Sequence, residues 1–259
     1  MSEKELDWTI EPLVFGEFPM GDKSSFTYLR NPGTRVSLAA ISFLLRSGDK
    51  KILVDTGPAS TQEEHHPVHT PLQRKENQAP VTALAEVGLK PEDFDLVILT
   101  HLHYDHSYNL ELFTNAKFII QAAELRSAVD PVRSQAGMYE FGIEGLIPPW
   151  MKVTHQFKVV RGDYKVAPGI EVLHLPGHTS GMQGVRVKTK DGYYLLASDL
   201  LSLYDNLGTD GTDWIVPGIH DDVVACERSI EKLIAFGEPI IPSHDWKVVE
   251  HGIYGAGKN

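Results

Sequence analysis

The stretch His101-Leu-His-Tyr-Asp-His106 places three imidazoles and a carboxylate within six positions. Such a cluster is costly unless something binds it. At neutral pH three imidazoles can give their nitrogen lone pairs to a divalent cation, and the carboxylate adds a hard oxygen donor with negative charge. His101 and His103 stand two apart, so extended or irregular backbone can direct both rings to one side, with Asp105 and His106 following as the chain turns. Six residues can in this way serve two adjacent metals, and a metal site is the first expectation.

The hexad follows an apolar, strand-like run, Leu96-Val-Ile-Leu99, and the same arrangement recurs downstream. His178 follows Val172 to Leu175 and Pro176-Gly177, Asp199 follows Leu195-Leu-Ala197, and His244 follows Ile240-Ile241. Loops at strand ends are where a rigid sheet can hold several groups around one point. The spacing therefore predicts one site assembled from four segments. A second cation needs further ligands, and a bridging carboxylate would hold both; Asp199 is the natural candidate.

Elsewhere, Val36 to Leu45 and Lys51 to Val54 flank Ser47-Gly-Asp-Lys50 and read as a hairpin, as does Gly184 to Ser198 around Lys190-Asp-Gly192. Further strands are expected at Lys117 to Gln121 and Ile170 to Leu175, and helices at Ala79 to Val87, Ala122 to Val129 and Asp221 to Phe236. The mixture is α and β with antiparallel hairpins. With 259 residues, 42% of them hydrophobic and 23% charged, and no linker or repeat, residues 1–259 are expected to form one domain.

A formal net charge of -11 argues against nucleic acid or an anionic membrane as the main partner. The substrate is expected to be small and neutral. The polar, acidic start leads into no apolar segment of signal-peptide or membrane-spanning length, which predicts a cytoplasmic protein. The single cysteine, Cys226, excludes an intramolecular disulfide and a thiolate-rich zinc site, so metal ligands must be nitrogen and oxygen. Zinc heads the metals that suit such donors, with iron, manganese and cobalt also suited. Nothing in the composition opposes a homodimer.

The hexad, with Leu175-Pro-Gly-His178-Thr-Ser-Gly181, Ala197-Ser-Asp199, Ser243-His-Asp245 and the upstream Leu53-Val-Asp-Thr-Gly57, resembles the motifs of the metallo-β-lactamase superfamily of hydrolases. The resemblance covers roughly residues 36 to 246. It implies an α+β architecture, an αββα sandwich of two mixed sheets with helices on the outer faces. It assigns His101, His103 and His178 to one metal, Asp105, His106 and His244 to the other, and Asp199 to the bridge. Asp55 would orient a ligand histidine. In the oxygen-reducing diiron branch a glutamate tends to occupy the position of His103, so histidine favours hydrolysis.

Within the hydrolases the chain most resembles the N-acyl homoserine lactonases and their relatives acting on small lactones. Two cations about 3.5 to 4 Å apart would activate a bridging hydroxide, polarise the carbonyl and stabilise the departing alkoxide. Asp105 could shuttle the proton to that alkoxide. The alternatives are a thioesterase or arylesterase on the same fold, an iron-dependent oxidoreductase, and a metal-binding protein without catalysis. These lactonases commonly carry a tyrosine three residues after the bridging aspartate; here that position is Ser202, and Tyr204 is the nearest phenol to replace it.

His65, His66 and His69 are read as a loop near the pocket mouth rather than a second metal site, because proline breaks the segment and no carboxylate motif follows. His155, His174 and His251 read as structural or surface residues, as does His220, which could also line the pocket. Residues 138 to 151 form an apolar, Gly/Pro-punctuated insertion, either a wall or lid for an apolar substrate tail or a segment packed on its own domain or on a partner subunit. Cys226 reads as a small apolar filler inside a helix.

Overall fold

The run from Val36 to Leu45 shows little polar alternation, and the strand it forms is covered on both faces. Residues 6–59, 69–208 and 213–257 are described by the computed structural model of the chain. One sheet holds, in order, β1 (Thr9–Asp22), β2 (Arg35–Ser47), β3 (Lys50–Val54), β4 (Leu96–Ile98), β5 (Lys117–Gln121) and β6 (Phe157–Val160). Its first two pairings are antiparallel and the remaining three parallel. The other contains β7 (Tyr164–Ala167), β8 (Ile170–His174), β9 (Gln183–Thr189), β10 (Gly192–Leu196) and β11 (Ile240–Ile241), in the order β11-β10-β9-β8-β7. Only β10 and β11 run parallel there.

The helices are α1 (Pro80–Glu86), α2 (Tyr104–Ser107), α3 (Ala122–Val129), α4 (Pro149–Lys152), α5 (Val223–Ile234) and α6 (Trp246–His251). Ile41, Phe43 and Leu45 of β2 pack between the sheets against Val172, Val185, Val187 and Leu196. Leu44, on the opposite face of β2, joins Leu53, Val97 and Phe118 beneath Leu84 of α1, Ala128 of α3 and Trp150 of α4. Leu173 and Leu195 pack on Cys226, Ile230 and Leu233 of α5. The layers are therefore α, β, β and α, with two mixed sheets. Among the described residues no helix is long and apolar enough to cross a membrane.

Most expected elements form within a residue or two of their predicted bounds. In the first hairpin Ser47 pairs with Lys50, and Gly48 takes φ +57° at the first central position of the turn, where a residue with a β-carbon would be strained. The last long helix is shorter than expected because the Asp222 carboxylate caps it, accepting from the amides of Val224 and Ala225. Three strands were not anticipated: β1, β6 and β7. Each lies at a sheet edge, where one face and one row of backbone groups escape burial and the apolar signal weakens. β1 also carries Pro12 and Pro19 and two register shifts, all tolerated at an edge.

The insertion at 138 to 151 forms little regular structure besides the start of α4, but Tyr139 and Trp150 are buried in the outer core. The loop after β8 meets the start of α3 closely. A β-carbon on Gly181 would lie 1.9 Å from the Glu124 nitrogen and 2.3 Å from its Cα. Gly181→Ala is accordingly expected to destabilise the protein by about 1–3 kcal/mol, the usual cost of overpacking. Chemical denaturation measures this, and a variant as stable as the parent would refute the close approach.

Candidate metal centre

The four ligand-bearing segments leave their strands at one end of the two sheets. His101, His103 and His178 form one group, and Asp105, His106, Asp199 and His244 another, with potential ligand atoms in each within 4.8 Å of one another. All seven residues singled out from the sequence thus come together. The five histidines and Asp199 are buried, and Asp105 is partly so.

Outward ring nitrogens are tied to acceptors. Asp55 Oδ2 accepts from His106 Nδ1 at 2.8 Å and from the Thr100 hydroxyl at 2.8 Å. Because that hydroxyl has given its proton to Asp55, it accepts from His101 Nδ1 at 3.1 Å. His178 Nδ1 donates to the Ile219 carbonyl and His244 Nδ1 to the Ala39 carbonyl, each at 2.8 Å. These four rings therefore turn Nε2 inward as a lone pair. The fifth, His103, has Nε2 2.9 Å from Gln135 Oε1 and Nδ1 3.1 Å from His178 Nε2.

Asp199 divides its oxygens between the groups. Its Oδ1 lies 3.3 Å from His106 Nε2 and 3.1 Å from His244 Nε2, while Oδ2 lies 3.7 Å from His178 Nε2. Ser243 holds Oδ1 with a hydroxyl donor at 2.7 Å. The donor set fits two cations on one further observation: His101 Nε2, His106 Nε2 and Asp105 Oδ1 are buried with no hydrogen-bond partner. Buried polar atoms are rarely left unpaired, and all three of these belong to the two ligand groups.

The two groups differ electrically. Burial, then the neighbouring imidazoles, hold His101 well below its ordinary pKa; burial also lowers His103 and His178. Burial opposes charge on His106 as well, but Asp199, Asp105 and Asp55 together outweigh it and push that ring up, and Asp199 does the same for His244. In Asp199 itself burial is outweighed by His244 and His106, which hold its carboxyl well below the usual range. One group is thus neutral and nitrogen-rich, the other acidic.

Above the groups lies a small cavity open to solvent. Asp105, His178, Asp199 and His244 reach it, and Phe18, Phe26, Leu38, Met138 and Ile219 line it with apolar surface. Tyr104 and Thr70 complete the lining, and the Tyr104 phenol oxygen accepts from the Thr70 amide at 2.7 Å. Tyr104 is held flat against His69, with ring centroids 4.1 Å apart. Tyr204 is absent from the lining and packs against the inter-sheet core on the side of Tyr254. Ser202 is buried, and its carbonyl accepts from the His244 amide at 2.9 Å.

His69 is buried 2.8 Å from Glu140 and belongs to neither ligand group, while His65 and His66 fall outside the described residues. His220 donates to the Pro217 carbonyl and does not line the cavity; its neighbour Ile219 does. Cys226 is fully buried beneath β8 and β10, its thiol pushed up to about 12 by burial, as suits a filler. Three contributors carried no motif in the sequence: Gln135, Tyr104 as a pocket residue, and Glu124. The Glu124 carboxylate accepts from the Leu102 amide at 2.9 Å, the Tyr139 phenol at 2.9 Å and the Thr179 hydroxyl at 2.6 Å. It thereby ties the loop of His101 and His103 to that of His178.

Burial pushes the Glu124 carboxyl up to about 7, from an ordinary 4.5. Between those values the folded chain holds a proton that the unfolded chain has released. The contribution to stability is full below the unfolded value and is lost as pH rises through the folded one. Glu124→Gln stays neutral throughout. Its thermal midpoint in metal-free protein is expected to rise relative to the parent's as pH goes from about 5 to about 8. A difference constant across that range would mean that the carboxyl titrates ordinarily.

The family model described as the Metallo-beta-lactamase superfamily matches residues 39–244. The chain is 33% identical to an N-acyl homoserine lactonase of Bacillus cereus over 207 residues, 74% of this chain and 76% of that one. It is 25% identical to the N-acyl homoserine lactonase AiiB of Agrobacterium fabrum over 221 residues, 78% and 76% of the two. A solved N-acyl homoserine lactone hydrolase, with the product N-hexanoyl-L-homoserine bound at its catalytic metal center, superposes with a TM-score of 0.75 at 26% identity, covering 95% of this chain and 96% of that one. A solved quorum-quenching N-acyl homoserine lactone lactonase gives 0.73 at 27% identity, covering 95% of each. With its fold, its order of motifs and these similarities, the chain belongs to the metallo-beta-lactamase superfamily.

Proposed function

We propose that the protein is a dinuclear metal-dependent lactonase that opens N-acyl homoserine lactones or closely related small lactones, and so acts in quorum quenching. The observation that carries this reading is a pair of ligand groups, joined through Asp199, on the floor of an apolar-walled cavity. The relatives named above act on such lactones, and the walls suit an apolar acyl tail. In this reading His101, His103 and His178 hold one ion, Asp105, His106 and His244 the other, and Asp199 bridges. Zinc is the proposed metal, because three imidazoles with an open fourth position are a common catalytic zinc arrangement. We read residues 1–259 as one metallo-hydrolase domain.

When bound, the cations supply Lewis acidity toward water and the lactone carbonyl and offset charge on the leaving oxygen. The chain's own groups do the rest. The apolar walls exclude bulk water and align the ring over the floor. Asp105, which reaches the cavity, takes a proton from the attacking water and returns it to the ring oxygen as the acyl C–O bond breaks. Water is added across that bond, giving a carboxylate, an alcohol and, at neutral pH, one released proton. Tyr104 replaces the phenol missing at Ser202: burial pushes its pKa up, so it stays protonated, and the oxygen already accepts from Thr70.

A pH-indicator assay of zinc-loaded protein over lactones of varied tail tests this. Proton release is expected with N-acyl homoserine lactones, falling at least about a hundredfold in Asp105→Asn. Cleavage of thioesters or aryl esters with no lactone opening would replace the substrate class with one of the alternatives. Tyr104→Phe is expected to lower kcat/KM about tenfold, the worth of one hydrogen bond, with Tyr204→Phe near the parent. The reverse ranking would return the role to Tyr204.

A further inference from the structure

Four of the five inward-facing imidazoles have their tautomer set by their surroundings: a side-chain carboxylate, a hydroxyl committed to it, and two main-chain carbonyls. His103 is different, because its outer nitrogen meets a side-chain amide, which can present either its oxygen or its NH₂ group. Two patterns fit the distances around it. In the first, Nε2–H donates to Gln135 and Nδ1 keeps its lone pair. In the second, the amide is turned, its NH₂ donates to Nε2, and Nδ1–H donates across the 3.1 Å to His178 Nε2. That second pattern would cover two ligand lone pairs with one proton.

The far end of Gln135 decides between them. Its other amide atom lies 2.8 Å from the main-chain carbonyl of His178, which can only accept. The NH₂ group must face that carbonyl, so Oε1 faces His103 and requires a donor there. A turned amide would set two carbonyl oxygens against each other around a buried side chain. The His103 ring cannot readily flip to compensate, because Tyr139 packs edge-on against it, with centroids 4.8 Å apart.

We propose that Gln135 is a positioning residue that reads the His178 carbonyl and fixes His103 as an Nδ1 donor, keeping the three-histidine group open to a metal. The inference rests on the ligand assignment made under Proposed function. His103 then presents the nitrogen opposite to that of the other four rings, and one side chain links two ligands that stand 75 positions apart.

Long-range proton–nitrogen NMR on metal-free protein labelled with ¹⁵N tests the proposal without any variant. His103 is expected in the Nε2–H form; an Nδ1–H form would overturn the inference. Gln135→Met, similar in volume but unable to accept strongly or donate, is expected to admit the Nδ1–H form at His103 while His106 and His244 keep theirs. Chelator competition should show zinc at the three-histidine group weakened about ten- to a hundredfold, with the Asp105 group retaining its ion. Unchanged tautomer and unchanged zinc affinity in that variant would also overturn it. Zinc binding as expected without lactone opening would remove the proposed substrate and leave this inference standing. Absence of zinc from the three histidines would remove the ligand assignment, and the tautomer would still be read directly.

Discussion

Lone pairs turned toward one buried space are the constraint on which the rest of this molecule depends. Five imidazoles and two carboxylates converge there, and nothing inside the ring of side chains can satisfy them all. The charge that does so must come from a cation or from protons. The protein prepares for it from behind: Asp55 at the end of β3, Thr100 after β4, Ala39 on β2 and Ile219 before α5 each hold an outward nitrogen. The first three are fixed because the strands that carry or precede them are anchored in two cores at once.

The carboxylates are distributed unevenly, and this gives the halves of the site different characters. The three-histidine half resists protonation through burial and mutual repulsion. The other half, surrounded by Asp55, Asp105 and Asp199, draws positive charge, and the acids push His106 and His244 up against the effect of burial. A cation is therefore attracted by negative charge at one half and met by neutral lone pairs at the other. Asp199, with an oxygen toward each, links the two halves.

The ligands were legible in the sequence because chemistry concentrates them. The hexad admits few other uses, and His178, Asp199 and His244 each follow an apolar run ending in a short loop. The central strands were legible because burial on both faces makes them continuously apolar, as in β2 and β5. β1, β6 and β7 were not, since an edge strand needs no such pattern. Gln135 and Glu124 were illegible for another reason. A glutamine or glutamate in a polar stretch looks solvated until tertiary contacts bury it, and no periodicity or spacing foretells which carbonyl, amide or imidazole it will meet. Tyr204 lies close to Asp199 in sequence, but a 3-10 turn begins there and its ring packs on the inter-sheet core.

The stretch containing Gln135, Met138, Tyr139 and Glu140 serves two masters. Met138 faces the cavity, and its carbonyl accepts from the Tyr104 amide inside the hexad; Tyr139 reaches Glu124, and Glu140 pairs with His69 beneath Tyr104. A substitution that reshapes the acyl-binding wall here also perturbs the scaffold of the ligands. Selectivity and metal retention are therefore coupled variables in this protein, and selection for longer or bulkier tails would have to follow both. The same coupling holds on β2, where Leu38 lines the cavity beside Ala39, whose carbonyl holds His244.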